Sequence, residues 1–464
     1  FPLVFLKRLS DVYDEAHAAA LTEYEADDPA DLPENHRFAI PEGAHWDDIR
    51  NVTTNVGATI LAAMRAIESV NPETLSGVFG DGDWGNKNLL PDETLNDLVE
   101  HFSTKILSTA NLPEDELGQG YEFLIKKFAD DSGHTAQEFY TNRTLVHLMT
   151  MMLKPEPGES VYDPTCGTGG MLISTAAELR NQGKEWRNVK LYGQELNYGT
   201  SAIARMNLFL HGIADAHIAH GDTLAKPAFI DRERGLRTFD VVLANPPYSI
   251  KAWDRAAFAK DPYGRNIWGV PTQGRADYAF FQHIAASLDP ESGRAAILFP
   301  HGVLFRREEA ALREALVNSD LLEAVIGLGA GLFYNSPMEA VIITLRANKT
   351  EAQRGTVLFI NAIDDVARVQ AQSFLREEDQ RRILAAYEGF SEIDGFTAVA
   401  TIDAIAGREF SLAIPLYVRM PDSDQAAGDE LGIEVARADW QAAADQADGA
   451  VADLLALLRR EVSR

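Results

Sequence analysis

Apolar residues recur along the first 130 positions at the spacing of a helix face, and from Ser160 onward in short unbroken runs of strand length. Val52, Val56, Ile60, Met64 and Ile67 are three or four residues apart, which a 3.6-residue repeat gathers onto one stripe. No strand alternation accompanies them, so residues 1–130 are expected to form a helical domain. Pro91 and Leu95 open another helix-like stretch, and Pro113-Glu114-Asp115-Glu116 with Gly118 and Gly120 reads as an exposed turn. Beyond Ser160, candidate strands at 160–163, 190–194, 216–219, 240–245, 295–299, 321–327 and 340–346 alternate with helical runs at 171–180, 200–211, 277–288 and 307–317. This alternation predicts a doubly wound, mostly parallel α/β sheet over residues 131–420. Residues 421–429 read as a polar linker, and 440–458 as an amphipathic helix that packs on its own domain or docks on a partner.

In such a sheet, ligands sit beyond the C-terminal ends of the strands, so chemistry is sought just after each strand. The first ends in Asp163-Pro164-Thr165-Cys166-Gly167-Thr168-Gly169-Gly170 and runs into a helix. Glycines there let the backbone approach a ligand, and the helix N-terminus offers unpaired N–H groups. The spacing is not G-x-G-x-x-G, so a dinucleotide is not indicated. Asp163, Thr165, Gly167, Thr168, Gly169 and Gly170 suit a cationic or zwitterionic ligand instead. Glu195 after the second strand can accept from ribose hydroxyls, and Asp222-Thr223 after the third can accept from an adenine amine. Each acid alone is as readily a cap or a solvated loop residue. Taken together, the three strand ends describe adenosine carrying a charged amino-acid tail, that is, S-adenosylmethionine.

The fourth strand delivers Asn245-Pro246-Pro247-Tyr248 to the same edge. Prolines fix the torsions and cannot extend a ladder, leaving the Asn245 amide oxygen and the Pro246 carbonyl free as acceptors. Two acceptors aimed at one planar amine draw its lone pair out of conjugation. Tyr248 can stack on the ring that bears the amine, as enzymes acting on an extruded base require. A plain Pro-Pro turn with Asn as a local cap is the alternative for the motif in isolation.

Charge complicates a nucleic-acid partner, because 70 acidic against 42 basic residues give a net charge of −28, which repels DNA at long range. The acid crowds residues 11–48 and 422–453, whereas Lys251, Arg255, Lys260, Arg265 and Arg275 follow the Asn-Pro-Pro-Tyr motif. One cysteine, Cys166, rules out an internal disulfide and suits a reducing cytoplasm. No apolar run approaches membrane-spanning length, no metal site is expected, and the missing initial Met suggests that natural N-terminal residues precede Phe1.

Asp163–Gly170 and Asn245–Tyr248 resemble the cofactor and catalytic motifs of methyltransferases acting on DNA adenine N6. More narrowly, the chain resembles the modification subunit of type I restriction–modification systems. Phe1–Ser10 resembles the start of that family's helical N-terminal domain. Gln137-Glu138-Phe139-Tyr140-Thr141 resembles a segment that helps enclose the cofactor, which implies roles for Gln137, Phe139, Tyr140 and Thr141. Residues 277–281 and 299–305 resemble later core motifs, and 410–418 a C-terminal signature in which the usual asparagines and arginine are replaced. The resemblance implies a Rossmann-like methyltransferase sheet, S-adenosylmethionine as cofactor, and double-stranded DNA with a flipped adenine as substrate. It also implies a separate specificity subunit and a restriction subunit as partners. Lys251, Trp253, Arg255, Arg265, Trp268 and Arg275 are candidate DNA contacts. Two rivals stay open: a protein-glutamine N5 methyltransferase, and a cofactor-binding scaffold without activity.

Overall fold

Four of the five stripe residues, Val56, Ile60, Met64 and Ile67, are buried on one face of a helix that spans Val56–Val70. Val52 precedes it, because the chain turns at Asn55 in the left-handed region before the helix starts. The Asp92 carboxylate caps that start from a neighbouring helix, accepting from the Asn55 and Val56 N–H groups at 3.0 Å each. The structure, a computed structural model, describes residues 1–24, 35–131, 141–231, 233, 235–333, 338–369 and 372–418. Gln137, Phe139, Tyr140, the 421–429 linker and the 440–458 helix lie outside the described residues.

The N-terminal segment is built from α1 (Pro2–Tyr24), α2 (Val56–Val70), α3 (Asp92–Ser103) and α4 (Glu114–Asp131), joined by turns. The expected turn at Pro113–Glu116 is instead the start of α4. The Pro113 carbonyl accepts from the Glu116 and Leu117 N–H groups at 3.1 Å, and the two glycines lie inside the helix. Glycine is a poor helix former, but a Cβ on Gly118 would fall 2.6 Å from His211 Nε2. Close packing, invisible to local propensity, selects it. Buried Phe5, Leu6, Leu9, Ile60 and Tyr121 share a core with Met206 and Leu210, so this segment packs directly on the α/β portion.

That portion begins with α5 (Arg143–Leu153) and then alternates β1 (Ser160–Asp163), α6 (Gly170–Asn181), β2 (Lys190–Glu195), α7 (Tyr198–Leu210), β3 (His217–His220) and β4 (Val241–Ala244). After α8 (Asp277–Ala286) come β5 (Arg294–Pro300), α9 (Ala310–Asn318), β6 (Leu322–Ala330) and β7 (Glu339–Arg346). Among the described residues the main sheet has nine strands in the order β11-β8-β6-β7-β5-β4-β1-β2-β3, with β8 at Thr356–Ala362 and β11 at Thr397–Thr401, while β9 (Ala367–Val369) and β10 (Gln372–Phe374) form a separate antiparallel pair. Strands β1 to β5 pair in parallel, whereas β7 runs antiparallel between β5 and β6. Apolar clusters line both faces of the sheet, which explains the unbroken apolar runs of its central strands.

Strand order reverses where β1 meets β4, and Val161 pairs with Val241 across that boundary. A crevice opens at such a switch point because the following helices leave on opposite faces. The Asp163 loop and Asn245 therefore emerge side by side.

Candidate active site

The loop after β1 closes on itself before entering α6. Gly167 and Gly169 take left-handed φ values of 53° and 83°, where a side chain is strained. The Cys166 N–H donates to the Gln194 carbonyl at 2.9 Å, tying the loop to β2, and the buried thiol side chain fills space beneath it. Asp163 is only 2% exposed and its carboxylate accepts from the Thr165 N–H at 3.0 Å. Burial, with a smaller contribution from Glu195, pushes its carboxyl up to about 8. A cation placed beside it would restore the charged form. The Thr165 hydroxyl oxygen is also buried and has no hydrogen-bond partner among the described residues.

The other two acids accept from backbone N–H groups. Glu195 accepts from the Gly167 N–H at 3.1 Å and the Asn197 N–H at 2.8 Å, so it braces the glycine loop. Asp222 is exposed and accepts from the Leu224 and Ala225 N–H groups at 2.9 and 3.1 Å, which makes it a turn cap. Thr223 is buried and donates its hydroxyl to the Pro164 carbonyl at 2.6 Å, joining the β3 loop to the β1 loop.

Strand β4 stops at Ala244, and Asn245 projects from its end. Its amide nitrogen donates to the Thr141 hydroxyl at 2.9 Å, and its amide oxygen accepts from the Tyr248 hydroxyl. The Tyr248 ring packs edge-on against Phe333, with centroids 4.9 Å apart. Burial, and to a lesser degree nearby Asp277, push this phenol well above its ordinary value, so it stays a protonated donor. Both amide ends of Asn245 are thus oriented by hydroxyl groups.

Thr141, Asp163, Thr165, Gly167, Thr168, Gly170 and Asn245 line one cavity of about 300 Å³. That volume lies at the small end of the range for ligand pockets. Its far wall was not legible in the sequence. It consists of Gln119, Glu122 and Ile125 from α4, Arg143 and His147 from α5, and Arg180 at the end of α6. Glu195, Asp222 and Thr223 do not line it. A buried carboxyl that favours a cation, an orphaned hydroxyl and glycine backbone lining the cavity fit a ligand with a charged amino-acid tail.

Of the candidate DNA contacts, Lys251 and Arg255 are exposed, and Trp253 and Arg275 are half-buried. Arg265 is a correction. It is 1% exposed, pairs with Asp261 at 2.5 Å, and donates to the Thr223 and Leu224 carbonyls at 2.8 Å each. A guanidinium with its donors already satisfied inside the protein has nothing to offer a phosphate. Trp268 is likewise buried, edge-on to Phe281 at 5.5 Å. Both residues hold the 249–276 loop onto the core.

A mostly parallel sheet with a glycine loop after its first strand and Asn-Pro-Pro-Tyr after its fourth defines a methyltransferase-type architecture. Residues 113–426 match the N-6 DNA Methylase family and residues 1–102 match the HsdM N-terminal domain. The chain belongs to the N-6 DNA methylase family. It is 32% identical to the MjaVIII methylase subunit of a type I restriction enzyme from Methanocaldococcus jannaschii, covering 82% of this chain and 66% of that protein. Identity to the HindI methylase subunit of Haemophilus influenzae is also 32%, over 82% of this chain and 89% of the relative. Among solved structures, the type I restriction-modification methyltransferase subunit of Streptococcus thermophilus superposes with a TM-score of 0.77 at 28% identity, covering 90% of this chain and 93% of that one.

Proposed function

We propose that the chain is the modification subunit of a type I restriction–modification complex, methylating adenine N6 in double-stranded DNA with S-adenosylmethionine. A separate specificity subunit chooses the sequence in this reading, and a restriction subunit completes the assembly. The observation that carries it is the convergence of Asp163 and Asn245, from neighbouring parallel strands, on one cavity.

S-adenosylmethionine supplies an electrophilic sulfonium methyl when bound. Asp163 would take the ammonium of its amino-acid tail, and the glycine loop would lie against it. Asn245 Oδ1 and the Pro246 carbonyl would accept from the two hydrogens of a flipped adenine amine, which holds the nitrogen in line with the methyl carbon. Positioning and acceptors matched to the charge that grows on nitrogen then do the catalytic work. The cofactor would supply a methyl group that leaves sulfur as it joins the amine nitrogen, and the proton displaced from that nitrogen would pass to solvent. No Ser, Cys or His nucleophile takes part. The match of residues 1–102 and the length of the type I relatives' matches speak against the protein-glutamine alternative.

Asn245→Ala in the assembled complex tests the assignment. Methyl transfer should fall by about a hundredfold or more, with cofactor affinity unchanged in calorimetry. Near-normal methylation by this variant would refute it.

A further inference from the structure

Directly after Tyr248, Ser249 adopts φ 52°, in the left-handed region that a non-glycine residue takes up only when its surroundings hold it there. The Ser249 N–H donates to Asp277 Oδ1 at 2.6 Å. Asp277, the first residue of α8, is fully buried, and its second oxygen accepts from Arg306 Nη1 at 2.5 Å. Arg306 in turn lies 3.5 Å from both oxygens of buried Glu309, and its backbone carbonyl accepts from Arg313 at 2.6 Å. Gly302 makes room for this guanidinium, since a Cβ there would fall 2.6 Å from Arg306 Nε. One residue further on, the Ala276 N–H donates to the Ile250 carbonyl at 3.1 Å and closes the neck of the 249–276 loop.

We infer that Asp277 is the positioning residue of the catalytic segment: its carboxylate, fixed by Arg306, clamps the Ser249 amide and so sets where Tyr248 and the base of the DNA-facing loop stand. This rests on the methyl-transfer reading and adds to it a residue 29 to 32 positions from Asn245-Pro246-Pro247-Tyr248 in sequence. Asp277 does not line the cavity that holds Asp163 and Asn245. It acts through Ser249. The turn needs an anchor because left-handed backbone at serine relaxes once its amide is released, and the phenol that meets Asn245 Oδ1 moves with it.

The test uses the complex with its specificity partner, tritium-labelled S-adenosylmethionine and unmethylated DNA, under single-turnover conditions. Asp277→Ala should slow transfer by about a hundredfold, the scale on which small misplacements act, while cofactor affinity and DNA affinity stay at the unsubstituted values. Asp277→Asn should recover only part of the rate, because its amide oxygen can still accept from Ser249 while its amide nitrogen cannot accept from Arg306. Should Asp277→Ala fail to fold, Ser249→Pro decides. That change removes the N–H donor and the positive φ at a half-buried loop position, together with the Ser249 hydroxyl and part of the backbone freedom of Tyr248, and it should reproduce the loss of rate. Unsubstituted rates in Asp277→Ala or in Ser249→Pro, or a loss confined to cofactor affinity, overturn the positioning role. Absence of transfer by the unsubstituted complex overturns instead the reading on which the role rests.

Discussion

The Asn245 amide nitrogen stands 2.9 Å from the Thr141 hydroxyl, so the orientation of this amide is set by a residue at the start of the segment before β1. An amide can turn over and present nitrogen where oxygen is needed. Thr141 accepts on one side while Tyr248 donates on the other, and together they favour a single orientation. Thr141→Val keeps the shape and deletes the acceptor. A neutral hydrogen bond contributes about 1 kcal/mol, so the methyl-transfer rate should fall several-fold with cofactor affinity little changed. A loss confined to cofactor affinity would place Thr141 on the ligand instead.

In the proposed function, Asp163 would couple cofactor binding to protons. Its carboxyl is held up to about 8 in the folded protein, against 3.8 for an unperturbed aspartate. Between those values the folded state keeps a proton that the unfolded chain has released, so stability from this group is full below about 4 and is lost as pH rises through 8. A cationic ligand reverses the preference by favouring the anion. Binding at pH 7 should therefore release a proton, seen as buffer-dependent calorimetric enthalpy. Asp163→Asn should abolish that dependence, weaken binding, and raise the melting temperature of the ligand-free protein above pH 8.

Arg265 is structural, and its removal strands Asp261 in the interior. Breaking a buried pair by deleting one partner costs about 3 to 5 kcal/mol. Arg265→Ala should lower the denaturant midpoint accordingly, and Arg265→Ala with Asp261→Ala should cost less than the sum of the two single changes. Lys251→Ala, at an exposed position, should leave stability unchanged and weaken DNA binding by the complex, with a shallower salt dependence.

Much of the sheet was legible because its central strands are buried on both faces and read as apolar runs with abrupt ends. The strand expected at 160–163 coincides with β1, and Pro246 marks the end of β4 to within a residue of the chain break in pairing. Strands β8 and β11 were missed. β11 is a short edge strand with a half-polar pattern, and β8 takes its place by pairing with distant β6 on one side and with β11 on the other. Site residues divide by the range of the contacts that define them. Asp163 and Asn245 follow strands in sequence, whereas Glu122, Arg143 and Arg180 reach the cavity through packing of α4, α5 and α6. Asp222 as a cap and Arg265 as a buried staple show the converse, since residue type alone did not reveal whether a polar group's partners lie outside the protein or within it.

The account stands on where the methyl group goes. Incubating the complex with tritium-labelled S-adenosylmethionine and unmethylated double-stranded DNA, then digesting the DNA to nucleosides, should place the label in N6-methyldeoxyadenosine. Label recovered in protein glutamine, or cofactor binding with no transfer, would contradict it.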